Sequence, residues 1–461
     1  MIPESVKLMA LGMKRRLSSR HALALARLGA VVVILLAMST FTVHPTDRPH
    51  DTKKAVPVSN KAPAPPAEAP KPPVPAPVPA PLPKPAPPGH LYGTLQSSVQ
   101  RMHTSFAAGV RVVTLEAGWD EYEPSPGNFN TAYAAGLQKQ LAAFRSRGML
   151  VVLDPGLQYA PQWVLNEPNG RYVNQYGDAY IDTALGRNIA NLVFNQRQRD
   201  YADNYLRRIM SDLGGGNIYA VRLGGVWNNE LQYPQQNWNG HTNSYWGYDA
   251  MAQGHVPGLA YGMPVSPVPG WIPGTPSANH SSAAAFTAWY FASLKNYHDW
   301  QIGTLRKYYP GNLLMLYPSW GVRDGQAQAA INNDLRGTTS PEINGEVQRG
   351  GNYAEFVKSI NDPGVIVYTT WLDAPFGNDA SPDPSEWRPV HWLAAAAGQN
   401  PLHLRVWGEN TGGGSVAEMR FAFAQAKQFG LMGVIWAFEP ELYAGGLATL
   451  LDFQGLIAAN P

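Results

Sequence analysis

The sequence predicts an α/β fold, a (β/α)8 TIM barrel preceded by an N-terminal apolar anchor and a Pro-rich linker. Three observations carry that expectation. Short apolar runs alternate with amphipathic helical stretches through most of the chain, the pattern of parallel strands joined by helices. Eight such runs can be counted, and three of the later ones end in a carboxylate, as do strands whose C-terminal ends line a barrel mouth. A doubly wound sheet, the competing architecture, would normally carry a G-x-G-x-x-G turn opening a helix after its first strand, and none is present.

In chain order, residues 1–45 read as a signal anchor or signal peptide. Lys7, Lys14, Arg15, Arg16, Arg20 and Arg27 precede an apolar run from Leu28 to Val43, and basic residues followed by a short apolar stretch mark export. No convincing small-x-small cleavage site follows it, so an uncleaved anchor is preferred, with the rest of the chain extracytoplasmic. Residues 46–88 form a linker. From Ala62 to Pro88 the chain is nearly all Pro, Ala, Val and Lys, which builds no core and favours polyproline II. At roughly 3.1 Å per residue it would span about 80 Å.

The folded domain is expected over 89–461. Its strands read as 91–95, 110–116, 149–154, 218–226, 313–317, 365–371, 402–407 and 431–438, with helices over 134–147, 197–213, 285–308 and 415–429 among the stretches between. The long segment 231–282, rich in Gly, Pro, Asn and aromatics, follows the fourth strand directly. A connection of that length is usually functional or disordered.

Composition narrows the chemistry. A charged fraction of 15% and a net charge of +2 give no reason to expect a nucleic-acid partner. The absence of cysteine excludes disulfides, thiolate metal sites and a Cys nucleophile. No H-E-x-x-H pair, Walker loop or G-x-S-x-G elbow occurs, and no metal or cofactor is expected. Fourteen Trp and 22 Tyr suit either a large core or the handling of ring-shaped hydroxylated ligands.

The candidate site residues sit at strand ends. The run Val221-Arg222-Leu223-Gly224-Gly225-Val226-Trp227-Asn228-Asn229-Glu230 places Glu230 at the mouth of the fourth strand as a general acid and base, with Asn229 beside it to hold a sugar hydroxyl. Trp407-Gly408-Glu409-Asn410 ends the seventh strand, across the barrel from the fourth. Glu409 at about 5–5.5 Å from Glu230 would be the nucleophile of a retaining glycosidase. Asp373, ending the sixth strand, is the alternative second acid, the base of an inverting enzyme if it stands farther off. Glu116, Trp119, Asn410 and Trp436 complete the expected substrate-binding set, the tryptophans as stacking platforms. Trp238, Trp246 and Trp271 in the long segment are packing residues or outer platforms. A carbohydrate is the expected partner, with the membrane met through the N-terminal segment; oligomeric state is not legible.

Gly109-Val110-Arg111-Val112-Val113, leading to Trp119, Glu123-Pro124 and Gly127-Asn128-Phe129, resembles the second strand of clan A glycoside hydrolases, notably family 42 β-galactosidases. That resemblance implies an Asn-Glu pair ending strand four as acid/base, matched by Asn229-Glu230, and a Glu ending strand seven as nucleophile, matched in position by Glu409. A second similarity is to family 14 β-amylases, whose Gly-Glu-Leu-Arg-Tyr-Pro motif is similar to Glu230-Leu231-Gln232-Tyr233-Pro234 and whose late Gly-Glu-Asn segment resembles Gly408-Glu409-Asn410. The chain departs from those enzymes in carrying Asn229 for Gly, and in having Leu372-Asp373 where they have Leu-Glu. The expectation is therefore a tethered glycoside hydrolase, retaining through Glu230 and Glu409 or inverting through Asp373. A non-catalytic polysaccharide-binding barrel is the rival.

Overall fold

The computed structural model describes residues 89–461 except 182–187, 340 and 446. The anchor and linker expected over residues 1–88 lie outside the described residues. Among the described residues no helix is long and apolar enough to cross a membrane.

Eight parallel strands follow one another in space in sequence order: β1 Gly93–Thr94, β2 Val112–Glu116, β3 Leu150–Asp154, β4 Ala220–Leu223, β5 Asn312–Tyr317, β6 Val365–Thr369, β7 Val406–Gly408 and β8 Ile435–Trp436. β8 pairs with β1. A parallel bridge between Glu409 and Ile435, with the Met432 N–H donating to the Val406 carbonyl at 2.9 Å, brings β7 to β8. The ring is thereby nearly closed. β2, β3, β5 and β6 are mostly Val, Leu, Ile, Met and Tyr, shapes that pack on both faces of a pleated sheet.

Eight principal helices cover the outside: α1 Met102–Ala107, α2 Thr131–Ser146, α3 Gln196–Leu213, α4 Ser281–Arg306, α5 Tyr353–Lys358, α6 Pro389–Gln399, α7 Val416–Gln428 and α8 Leu450–Ala459. Their starts are written in the sequence. Asn130 and Asn195 cap α2 and α3 through their side-chain oxygens, while Ser415/Glu418 and Thr449/Asp452 form capping boxes, each such cap stabilising by about 1 kcal/mol. In α3, Ala202, Tyr205, Leu206, Ile209, Met210 and Leu213 are buried at helical spacing.

Strand alternation sorts side chains into two cores. Val112, Val152, Ala220, Leu314, Ile366, Tyr368, Trp407 and Ile435 share the barrel interior; Val113, Val151, Val221, Leu313, Val367, Val406 and Trp436 face the helices. Full burial of such side chains stabilises by about 1.5–3 kcal/mol each. On the interior face, the last positions of β2, β3, β4, β6 and the residue after β7 are Glu116, Asp154, Arg222, Tyr368 and Glu409, so the apolar interior is topped by a polar layer.

Strand boundaries differ from the sequence expectation most at the first, which keeps only Gly93–Thr94 of 91–95, and at the fourth, sixth, seventh and eighth. The fourth strand ends at Leu223, not 226, because Gly225 takes φ 65° and the chain turns through a 3-10 turn at Trp227–Asn229, with Asn228 and Asn229 at φ 59° and 61°. The sixth ends at Thr369 rather than 371. The seventh begins at Val406, since residues 401–402 form a turn and His403 is left-handed at φ 47°. The eighth shrinks to two residues, although its ladder bonds run from Met432 to Trp436. The long segment 231–282 is packed: Tyr233 and Tyr245 are fully buried against Phe286 and Tyr290 of α4, and Trp246, also fully buried, donates its backbone N–H to the Tyr290 hydroxyl at 3.1 Å. The Tyr248 N–H reaches the Val173 carbonyl and that of Ala260 the Phe194 carbonyl, so the loops after β3 and β4 form one mass.

Candidate active site

Glu230 and Glu409 are each anchored near the C-terminal end of β6. After the turn that follows β4, the Leu231 N–H binds the Leu316 carbonyl at 3.1 Å, which fixes Glu230 beside the ends of β5 and β6. Its carboxylate accepts from the Thr370 hydroxyl at 3.0 Å and the Gln232 amide at 2.7 Å. The Glu409 N–H donates to the Thr369 carbonyl at 2.9 Å, and its carboxylate accepts from the Tyr368 hydroxyl at 2.8 Å. The two acids therefore accept from side chains two residues apart, Tyr368 on β6 and Thr370 just past its end. Both are buried, at 3% and 5% exposure, where a carboxylate needs partners to stay folded.

A cation sits against one of them. Arg222 sends Nη2 to both oxygens of Glu409, at 3.2 and 2.9 Å, and Nη1 to Asp154 at 3.2 Å. Burial works against the guanidinium's charge, but Glu409 and Asp154 outweigh it and hold Arg222 above its ordinary pKa. Burial first, and the Glu409 charge second, keep the Tyr368 phenol well above its usual value, so it remains a donor. Glu409 thus faces a cation and a hydroxyl. Glu230 accepts from the Thr370 hydroxyl and the Gln232 amide.

The other expected residues separate into two groups. Asn229 belongs to the polar layer: its amide donates to Asp154 at 2.8 Å and its oxygen accepts from the Gly225 N–H at 3.0 Å. Glu116 is half-buried and close enough to contribute to the field on Arg222. Asp373 is buried nearby, but both of its oxygens accept from Thr411, from the N–H at 2.8 Å and the hydroxyl at 2.9 Å. It ties the loop after β6 to the loop after β7, and burial raises its carboxyl to about 6. Asn410 likewise brackets backbone, donating to the Gly413 and Ala437 carbonyls and accepting from the Ala437 N–H.

Trp119 and Trp436 do not reach the site. Trp119 is fully buried in the barrel–helix layer, stacked on Tyr205 of α3 at 5.4 Å, with its indole N–H on Glu123. Strand alternation turns Ile435 and Ala437 inward and Trp436 outward, onto Phe453 of α8. Neither offers a sugar a face. Trp246 is fully buried too, and Trp271 spends its indole N–H on the Thr275 carbonyl.

Sequence reading passed over Arg222, Asp154, Tyr368, Thr370 and Gln232. The signal for the first was present: an Arg two positions after Ala220 in a four-residue buried strand points to the same interior face, where a cation persists only beside acids.

No protein-family model matches the chain, and no curated protein matches it. Solved structures do. The catalytic domain of a β-amylase from Paenibacillus polymyxa superposes with a TM-score of 0.58 at 12% identity, over 80% of this chain and 98% of that one. A β-galactosidase from the psychrophilic Marinomonas ef1 gives 0.52 at 12% identity, over 80% of this chain and 59% of its own. One from the Antarctic haloarchaeon Halorubrum lacusprofundi gives 0.52 at 13%, over 80% and 57%. The chain spans under three-fifths of the length of both galactosidases, and at these identities what it shares with all three is the (β/α)8 barrel fold.

Proposed function

We propose that this protein is a glycoside hydrolase that cleaves O-glycosidic bonds of a poly- or oligosaccharide with retention, Glu409 as nucleophile and Glu230 as acid and base. The observation that carries the reading is the pair of buried carboxylates anchored at the end of β6, one of them paired with a guanidinium. A nucleophile must be ionised, and Glu409 lies against the Arg222 guanidinium with Tyr368 donating to it. An acid/base must gain and lose a proton in each cycle, and Thr370 and Gln232 can serve either form of Glu230. The fold shared with a β-amylase and two β-galactosidases is consistent with this chemistry.

In the first step Glu409 attacks the anomeric carbon while Glu230 protonates the departing oxygen, leaving a glycosyl ester on Glu409. As its negative charge passes into that ester, Arg222 keeps Asp154 as a partner, so the cation is never left unpaired. In the second step Glu230 takes a proton from water, which attacks the ester and releases the sugar with its original configuration. Asn229 retains a second amide hydrogen for the hydroxyl next to the reacting carbon. Asp373, with both oxygens taken by Thr411, has a structural place in this scheme. An extracytoplasmic location on the N-terminal tether completes the reading.

Two variants test it. Glu230→Gln should abolish turnover of substrates with poor leaving groups while leaving the melting curve intact; undiminished hydrolysis would end the assignment. Glu409→Ala with an activated substrate and azide should yield a glycosyl azide of the opposite anomeric form, and rescue at Asp373 instead would move the second acid there.

A further inference from the structure

The loop after β5 carries a cation that the mechanism leaves unused. Glu346 clamps this loop by accepting from the Ser319 hydroxyl at 2.7 Å, the Gly321 N–H at 2.8 Å and Arg349 at 3.0 Å. Ser319 is left-handed at φ 58°. Gly321, at φ 76°, presses so close that a Cβ would lie 2.5 Å from the Trp392 ring. The clamp delivers Arg323 to a position with its guanidinium over the Trp392 ring at 4.1 Å and the Trp320 ring at 4.7 Å. Arg323 is only 2% exposed, and Nε, Nη1 and Nη2 all lack a hydrogen-bond partner among the described residues.

Buried donors of that kind are costly, and a guanidinium with none of its nitrogens engaged is rare in a folded interior. Burial pulls Arg323 down to about 9, with Glu346 and Asp324 opposing it only through space. Indoles cover the guanidinium face, so its hydrogen bonds must leave in its own plane. The in-plane fork of Nε and Nη fits a planar, two-oxygen acceptor. β5 delivers this loop to the same end of the barrel as Glu230, and half-buried Trp320 stands at the edge of the cluster.

We infer that Arg323, with Trp320 and Trp392, forms a subsite for a carboxylate carried by the sugar chain, so that the substrate is an acidic glycan containing uronic acid or a similarly carboxylated unit. This names the substrate class for the proposed hydrolase and rests on that reading for its biological sense, but its test does not need turnover.

The full-length Glu230→Gln variant is titrated with D-glucuronate and D-galacturonate, with glucose and galactose as neutral controls and sodium chloride at matched ionic strength. Binding is read by calorimetry and by melting temperature. Saturable binding of a uronate, absent for the neutral sugars and for chloride, is the expected result. Adding Arg323→Gln should weaken that binding roughly 10- to 100-fold, the range for hydrogen bonds to a charged group. Arg323→Lys, which keeps the charge and loses the fork, should fall between and covers the case in which the Gln variant does not fold. Equal behaviour of uronates and neutral sugars, or unaltered uronate binding without Arg323, overturns the subsite; a response to chloride alone overturns its assignment to substrate. Uronate binding by a protein that hydrolyses no glycan would leave the subsite standing and remove the glycosidase reading, whereas hydrolysis confined to neutral glycans would do the reverse.

Discussion

Replacing Asp373 by Asn separates the structural role of this carboxyl from a catalytic one. Its pKa is raised from 3.8 to about 6 by burial, against the donors of Thr411. A raised carboxyl means that ionising it opposes folding. The penalty is absent below pH 3.8, grows between there and pH 6, and is complete above. At about 1.36 kcal/mol per pKa unit it reaches about 3 kcal/mol at neutral pH. Asn keeps the geometry: its oxygen accepts from the Thr411 N–H and its amide donates to the Thr411 hydroxyl, with no charge to bury. The variant should therefore match the parent near pH 3.5 and gain on it through pH 6. For about 370 folded residues the full difference corresponds to about 4 °C in melting temperature. Thermal or urea melts of both proteins at intervals from pH 3.5 to 8 measure this, since the remaining titrating groups cancel in the comparison. Hydrolysis should persist within a few-fold. Parallel stability curves would refute the electrostatic reasoning, and a loss of turnover beyond about 100-fold in a folded protein would make Asp373 the general base.

Four other substitutions probe the polar layer and its supports. Arg222→Met leaves Glu409 and Asp154 buried without their shared cation and should destabilise by about 3–5 kcal/mol, seen in urea melts, and should lower turnover by displacing the Glu409 carboxylate. Tyr368→Phe removes one hydroxyl from Glu409 and should lower kcat/KM by roughly 10- to 100-fold with little change in melting temperature. Thr370→Ala does the same on the Glu230 side, and its effect should be larger for substrates with poor leaving groups, measured across a series of aryl glycosides. Gly225→Ala forces a side chain into a φ of +65° and to 2.4 Å from the Tyr297 hydroxyl; circular dichroism melts should show a loss of at least about 2 kcal/mol, because the turn that presents Glu230 depends on that glycine.

Much of the barrel was legible because parallel strands buried on both faces announce themselves as apolar runs, as in Leu150–Asp154 and Val365–Thr369. The short strands were less so. β1 and β8 keep only two residues each in the ladder, and their place follows from closure with neighbours distant in sequence, which no local pattern encodes. Glu230 and Glu409 stood out as candidates because each follows an apolar run. What surrounds them did not, since Thr370, Tyr368 and Arg222 act through strand alternation and register between β4, β6 and β7. Trp436 was misread for the same reason, since a strand has two faces and one residue of offset separates the barrel interior from the helix side. Trp119 lies in the helical turn Trp119–Tyr122 after β2, which carries it into the barrel–helix layer. Counting inward from Ile435 and Ala437 would have turned Trp436 away. The parity rule that rejects it selects Arg222 from the interior of β4, so one cation in an apolar strand carried more information about the site than the aromatic content of the whole chain.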